Sequence, residues 1–170
     1  MGRLSGKVAI ISGGSRGQGT EEARLFASEG AKVIIGDILD SEGIQVESEI
    51  VEQGGQAKFV RLDVSIEDDW SKAVQLAISE YGKLDILVNN AGIWLMNGVE
   101  DTSTEGWDYL HNINSKGVFL GPKAVIAAMR ESGGGSIVNI SSTAGLIGSK
   151  FSAYSASKEL VRILTKSIDV

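Results

Sequence analysis

Cysteine is absent from the 170 residues, which removes disulfides, thiolate catalysis and cysteine metal sites together. Histidine occurs once, as His111, so a histidine-rich metal centre is excluded as well. Carboxylate-only binding of Mg²⁺ or Ca²⁺ is not excluded by this, but no cluster of ligands suggests it. No apolar run approaches the ~20 residues of a membrane helix, and Val8–Ile11 is too short for the core of a signal peptide. The expectation is a cytoplasmic protein with no membrane partner. Blocks of like charge are also missing. With 16 basic and 22 acidic residues the formal charge is −6, and such an acidic, evenly mixed surface argues against nucleic acid as a partner.

Proline is almost absent: Pro122 stands alone against 22 glycines. That balance predicts repeated tight turns and close backbone approaches. Length and composition fit one soluble domain spanning 1–170, with no linker, repeat or low-complexity segment.

What is present is an alternation. Short apolar runs at Lys7–Ser12, Lys32–Asp37, Lys58–Asp63, Leu84–Asn89 and Ser136–Ser141 read as buried parallel strands. Helical stretches separate them. The first runs from Thr20 to Glu29 and stops at Gly30; the second is capped by Asp40 or Ser41 and stops at Gly54–Gly55. The third follows Ser65–Asp68, a capping box with Asp in place of Glu, and closes at Gly82. A long helix from Thr104 or Glu105 to Arg130 contains Pro122, whose missing N–H predicts a kink or break there. A last helix starts near Ser152. Five such cycles describe βαβ units on a doubly wound, Rossmann-like parallel sheet of the α/β class. In the order 3-2-1-4-5 the fifth strand is an open edge carrying Ile137, Val138 and Ile140.

Two constellations carry chemistry. Gly13-x-x-x-Gly17-x-Gly19 occupies the first strand-to-helix turn, where glycines let the backbone approach a pyrophosphate and a helix N-terminus offers free N–H groups. Asp37 ends the next strand, where a carboxylate can bond a ribose diol and repel a 2′-phosphate. Arg16 in the loop favours NADP, but Asp37 acts more directly at the phosphate position, so NAD is the expected cofactor. The second constellation is Tyr154-x-x-x-Lys158, which places a phenol and an ammonium group on one helix face. A fixed positive charge nearby favours a phenolate and suits the phenol to proton transfer. By itself such a pair is most often a plain surface feature of a helix.

The glycine spacing, Asn89–Gly92, Asn114, Ser142 and Tyr154-x-x-x-Lys158 together resemble the short-chain dehydrogenase/reductase family. Within it, Gly36–Asp40, Leu62–Val64 and Gly135–Ser142 are most similar to hydroxysteroid and secondary-alcohol dehydrogenases. The resemblance implies an NAD-dependent oxidoreductase that interconverts a secondary alcohol and a ketone. Tyr154 would be the acid/base, Lys158 would favour its phenolate and hold the nicotinamide ribose, and Ser142 would bond the substrate oxygen. Asn114 would anchor a water in a proton relay. Gly13, Ser15, Arg16, Gly17, Gly19, Asp37, Asp63, Val64 and Asn90 would bind the cofactor, with Asp63 and Val64 flanking the adenine.

Ser141 competes with Ser142. Ser142 keeps the family's step to Gly145, whereas Ser141 keeps its usual separation from Tyr154. Ile93, Trp94 and Met96 are candidates for a hydrophobic substrate pocket, and His111 reads as a helix-face residue. The resemblance further implies a homo-oligomer, a dimer or tetramer in the full-length form. It also implies that the chain lacks the family's last two strands. A dinucleotide-binding or interaction module without turnover is therefore the alternative, and an epimerase or dehydratase is disfavoured by the glycine spacing.

Overall fold

Runs such as Val8–Ile11 and Val33–Ile35, apolar on both faces, need cover on both faces, and the chain supplies it with helices. The computed structural model describes residues 2–168; the expected domain limits, Met1 and Val170, lie outside them. Strands β1 (Val8–Ser12), β2 (Lys32–Asp37), β3 (Gln56–Arg61), β4 (Ile86–Asn89) and β5 (Ser136–Asn139) form one parallel sheet ordered β3-β2-β1-β4-β5. Central β1 pairs Ile10 with both Ile34 and Leu87, and every one of its residues is buried.

Alternate side chains divide the core into two layers. On one face Ile11, Val33, Ile35 and Val88 meet helices α1 (Gly17–Ser28) and α2 (Asp40–Glu52) through Ala23, Ala27, Val46 and Ile50. On the other, Ile10, Ile34 and Leu87 meet α3 (Glu67–Tyr81) and α5 (Val118–Glu131) through Trp70, Ala77, Leu120 and Met129. Full burial stabilises each large apolar side chain by roughly 1.5–3 kcal/mol, so truncating Ile10 would unsettle both neighbours of the central strand.

Local details differ from the sequence reading where side chains found better partners. Neither Asp40 nor Ser41 caps α2. The N-cap is Leu39, and Asp40 pairs instead with Arg61 at 2.7 Å. The capping box at Ser65–Asp68 does not form: α3 starts after Ile66, the Ser65 hydroxyl donates to Asp63, and Asp69 reaches back to the Asp63 N–H. Helix α1 begins at Gly17, inside the glycine loop, three residues before the expected Thr20.

The long helix is interrupted, but not at Pro122. Helix α4 (Thr104–His111) runs into a π-helical turn at Asn112–Gly117, after which α5 continues through Pro122. Pro122 is the fifth residue of α5, so its missing N–H deletes a single bond to the Val118 carbonyl. The Asn89 side chain donates to that carbonyl at 3.4 Å, and α5 needs no break. Short α6 (Ala144–Ile147) and α7 (Ser152–Ser167) follow β5. Of the three apolar residues expected at the β5 edge only Val138 is exposed; Ile137 and Ile140 are half-buried against the core layers. Among the described residues no helix is long and apolar enough to cross a membrane, and no three potential metal ligands converge.

Candidate active site

Parallel strands point their C-terminal ends the same way, so the loops that follow them meet along one edge of the sheet. A groove of about 550 Å³ lies along that edge. Gly13, Arg16, Asp37, Asp63, Val64 and Asn90 line it, six of the residues expected to hold a cofactor. Ser15 and Gly17 do not. They face a separate recess of about 390 Å³ between α1 and α2, which Arg16 also borders.

Short bonds hold the groove's rim. Gly13 adopts φ +68°, and a side chain there would collide with Ala91. Gly19 is pressed against the Gly13 carbonyl and the Asn90 amide, leaving no room for a Cβ. The Asn90 Nδ2 donates to the carbonyls of Ser12 and Gly13, both at 3.1 Å, and so staples the glycine loop to the end of β4. Ser12 returns the staple, its Oγ accepting from the N–H groups of Asn90 and Ala91 at 3.2 Å. Asp37 is almost fully buried; one oxygen accepts from the Ser15 N–H at 3.0 Å and the other from the Leu39 N–H at 3.2 Å. Each oxygen keeps capacity for a further donor from the groove. Asp63 is fixed by the Ser65 N–H and hydroxyl. Arg16 is largely exposed and approaches Glu42 at 3.9 Å.

The proton-transfer candidates Asn114, Ser142, Tyr154 and Lys158 are not among the residues that line the groove. Tyr154 and Lys158 share a face of α7, with the Lys158 Nζ 5.9 Å from the phenol ring centroid. Lys158 is buried, and its Nζ donates to the Ile140 carbonyl at 2.8 Å. Burial pushes its pKa below the usual lysine range. Gly92 connects the two regions, because it lines the groove and a Cβ on it would sit 3.5 Å from the Lys158 Nζ.

Asn114 is fully buried in the π-helical turn, a distortion often found at functional sites. Its Oδ1 accepts from the Ile93 N–H at 2.8 Å, and its Nδ2 donates to the Ile93 carbonyl at 2.8 Å and the Ser157 Oγ at 3.2 Å. The side chain is thus a clamp between the loop after β4 and α7. The two serines separate cleanly. The Ser141 hydroxyl donates to the Lys158 carbonyl at 2.7 Å, so it fastens the helix. The Ser142 Oγ accepts from the Ala144 N–H at 3.2 Å and keeps its own proton available.

The model for the short chain dehydrogenase family matches residues 7–170. This chain belongs to that family. As a short-chain dehydrogenase it is 46% identical over its whole length to the cyclopentanol dehydrogenase of Comamonas testosteroni, covering 68% of that protein. It is 47% identical to the 3-alpha-(or 20-beta)-hydroxysteroid dehydrogenase of Mycobacterium tuberculosis, over 98% of the chain and 63% of the relative. To the 2,5-dichloro-2,5-cyclohexadiene-1,4-diol dehydrogenase of Sphingobium indicum it is 45% identical, over 97% of the chain and 66% of the relative. The chain therefore spans about two thirds of the length of these curated relatives. The family implies a nicotinamide dinucleotide cofactor for this short-chain dehydrogenase.

Ser12 and Ser157 were not singled out from the sequence. Ser157 is fully buried, donates to the Tyr154 carbonyl at 2.7 Å and accepts from Asn114. The only available signal was position: Ser12 closes an otherwise apolar strand, and Ser157 lies between the tyrosine and the lysine.

Proposed function

We propose that the protein is an NAD(H)-dependent oxidoreductase that interconverts a secondary alcohol and a ketone on a carbocyclic skeleton, with Tyr154 as the acid/base. The observation that carries this reading is the pairing of Tyr154 with buried Lys158, whose Nζ lies near Gly92 on the rim of a groove lined by the Asp37 carboxylate. The names of the three relatives support the substrate class, since each denotes an alcohol built on carbocyclic rings.

The residues fit a dinucleotide. The glycine turn and the α1 N-terminus suit a pyrophosphate, Asp37 suits a ribose diol, and Asp63 and Val64 suit an adenine. Asp37, together with the proximity of Glu42 to Arg16, favours NAD over NADP, because both carboxylates oppose a 2′-phosphate. When bound, NAD supplies hydride transfer. The chain's part is to orient and to move a proton. The Ser142 hydroxyl donates to the substrate oxygen; the Tyr154 phenolate takes the proton from an alcohol, and in the reverse direction the Tyr154 hydroxyl gives its proton to the ketone oxygen as hydride arrives. Lys158, short of solvent and with two N–H bonds to offer, stabilises the phenolate and suits a ribose hydroxyl. Because the Asn114 side chain is occupied by Ile93 and Ser157, a water relay there falls to its main-chain carbonyl.

An apolar recess of about 540 Å³ between α5 and α7, bordered by Phe119, Leu160 and Ile163, suits a second copy of the chain and supports the homo-oligomeric reading. A cytoplasmic location and a single NAD-binding unit over 1–170 complete the proposal. The second reading, a dinucleotide-binding module without turnover, draws on the chain's two-thirds span of its relatives.

The test joins titration of NAD and NADP against the protein to nicotinamide absorbance assays with cyclopentanol and cyclohexanol. Binding of NAD with turnover that Tyr154→Phe abolishes is the expected result. NAD binding without turnover supports the module, and wild-type turnover in Tyr154→Phe sinks the mechanism.

A further inference from the structure

Trp94 lies on the loop that leaves β4, and Phe151 stands immediately before α7. Their rings meet edge to face, with centroids 5.3 Å apart and planes at 81°. Trp94 also packs on the Tyr154 ring, centroid to centroid 6.1 Å at 46°. The indole therefore joins two loops directly beside the phenol. It nevertheless remains 57% exposed, which is unusual for a large aromatic held by two others. The loops meet again one step outward, where Gly98 approaches the Lys150 carbonyl, and the Lys150 ammonium sits 5.3 Å from the Phe151 centroid on the rim.

An aromatic pair packed on the ring of the proposed acid/base tyrosine, with the indole more than half exposed, is an apolar surface beside the phenol. Aromatic side chains offer large contact area with few torsions to freeze. A flat surface of this kind matches the face of a saturated ring better than a flexible open chain, which must lose rotamer freedom to lie against it. The Tyr154 ring is bounded by Trp94 and by Lys158, so the apolar surface and the cation meet at the phenol.

We propose that Trp94, braced by Phe151, is the specificity-determining wall of the substrate site and selects alicyclic over acyclic secondary alcohols. This rests on the oxidoreductase reading and identifies the residue that gives it ring selectivity. Trp94 bears on the ring of the alcohol; it transfers no proton and is not among the residues that line the groove assigned to NAD.

Two measurements on the full protein with NAD keep this proposal separable from the activity itself. The first compares kcat/KM for cyclohexanol and hexan-2-ol in the wild type, Trp94→Ala, Trp94→Phe and Phe151→Leu. The cyclic substrate is expected to lead in the wild type. Trp94→Ala is expected to raise its KM about tenfold, the order of one aromatic contact, and to bring the two substrates level. Trp94→Phe retains most of the preference, Phe151→Leu loses part of it, and NAD affinity is unchanged throughout. An unchanged cyclic-to-acyclic ratio in Trp94→Ala overturns the proposal. The second measurement follows indole fluorescence of the NAD complex as cyclohexanol is added, with Trp94→Phe as the reference that retains Trp70 and Trp107. A cyclohexanol-dependent change lost in Trp94→Phe supports the wall even if turnover is absent, in which case only the oxidoreductase reading fails. Absence of any such change in the wild-type complex overturns the wall.

Discussion

Replacing Asn114 with alanine is the sharpest probe of how the site is held. The side chain is fully buried and makes three hydrogen bonds, to the Ile93 N–H, the Ile93 carbonyl and the Ser157 hydroxyl. Each bond contributes about 0.5–1.5 kcal/mol net. Together they set an expected loss of about 3 kcal/mol, since the alanine reaches none of the three partners. With a urea slope of about 2 kcal/mol/M, the unfolding midpoint falls by about 1.5 M. Asn114→Asp adds a diagnostic sign. It keeps the acceptor for the Ile93 N–H but turns a carboxylate oxygen toward the Ile93 carbonyl, now 2.8 Å from an amide donor. The folded state then disfavours the ionised form and raises that carboxyl's pKa above its unfolded value. Asn114→Asp should accordingly be less stable than Asn114→Ala at neutral pH and recover as the pH falls through the raised pKa. A double-mutant cycle with Ser157→Ala should return about 1 kcal/mol of coupling. A loss below about 0.5 kcal/mol for Asn114→Ala, or no coupling to Ser157, would refute the clamp.

The two serines should part company on mutation. Ser142→Ala is expected to lower turnover about 100-fold, the order seen when one oxyanion-type donor is removed, with little change in stability. Ser141→Ala loses the bond to the Lys158 carbonyl and should cost about 1 kcal/mol in urea unfolding with far less effect on turnover. Lys158→Met should remove activity yet narrow its stability difference from wild type in a pH-dependent way. Burial lowers the Lys158 pKa in the folded state, so the unfolded chain binds more protons between that value and the ordinary lysine value. Wild-type stability therefore rises with pH across that window relative to Lys158→Met, and parallel stability–pH curves would contradict it.

Most of the fold was legible because short apolar runs such as Val8–Ile11 and Val33–Ile35, bounded by glycines, read as buried parallel strands, and glycines such as Gly30 and Gly82 mark where helices stop. The order 3-2-1-4-5, expected of a doubly wound fold rather than fixed by the alternation, is the order of the sheet. What was not legible depended on partners distant in sequence. Asp40 has the chemistry of a cap, but Arg61 at the end of the adjacent strand bonds it instead. Pro122 should break a helix in isolation; the sequence gives no sign that Asn89, 33 residues earlier, would take the orphaned carbonyl. At the site, the identities of Asn90 and Asn114 were legible and their uses were not. Both side chains fasten main chain to main chain, and neither faces the groove as a free group.

That difference in use is informative about catalysis. Around the sheet's C-terminal edge Ser12, Ser15, Asn90, Asn114, Ser141 and Ser157 carry polar side chains with partners in neighbouring segments, and Asp63 is held by Ser65 within its own turn. Buried polar groups without partners are costly, so a folded chain satisfies them first. The groups with something left to give include the Tyr154 hydroxyl, the Ser142 proton and two of the three Lys158 N–H bonds. They lie on α7 and on the turn after β5, while the satisfied residues hold those segments against β4 and the π-helical turn. A site preorganised in this way needs no reorganisation of its own when charge develops on a substrate oxygen. On the proposed mechanism, substitutions at the satisfied positions should act on binding and stability together, whereas Ser142→Ala and Tyr154→Phe should act mainly on the chemical step. The division between Asn114→Ala and Ser142→Ala is the measurable form of that statement.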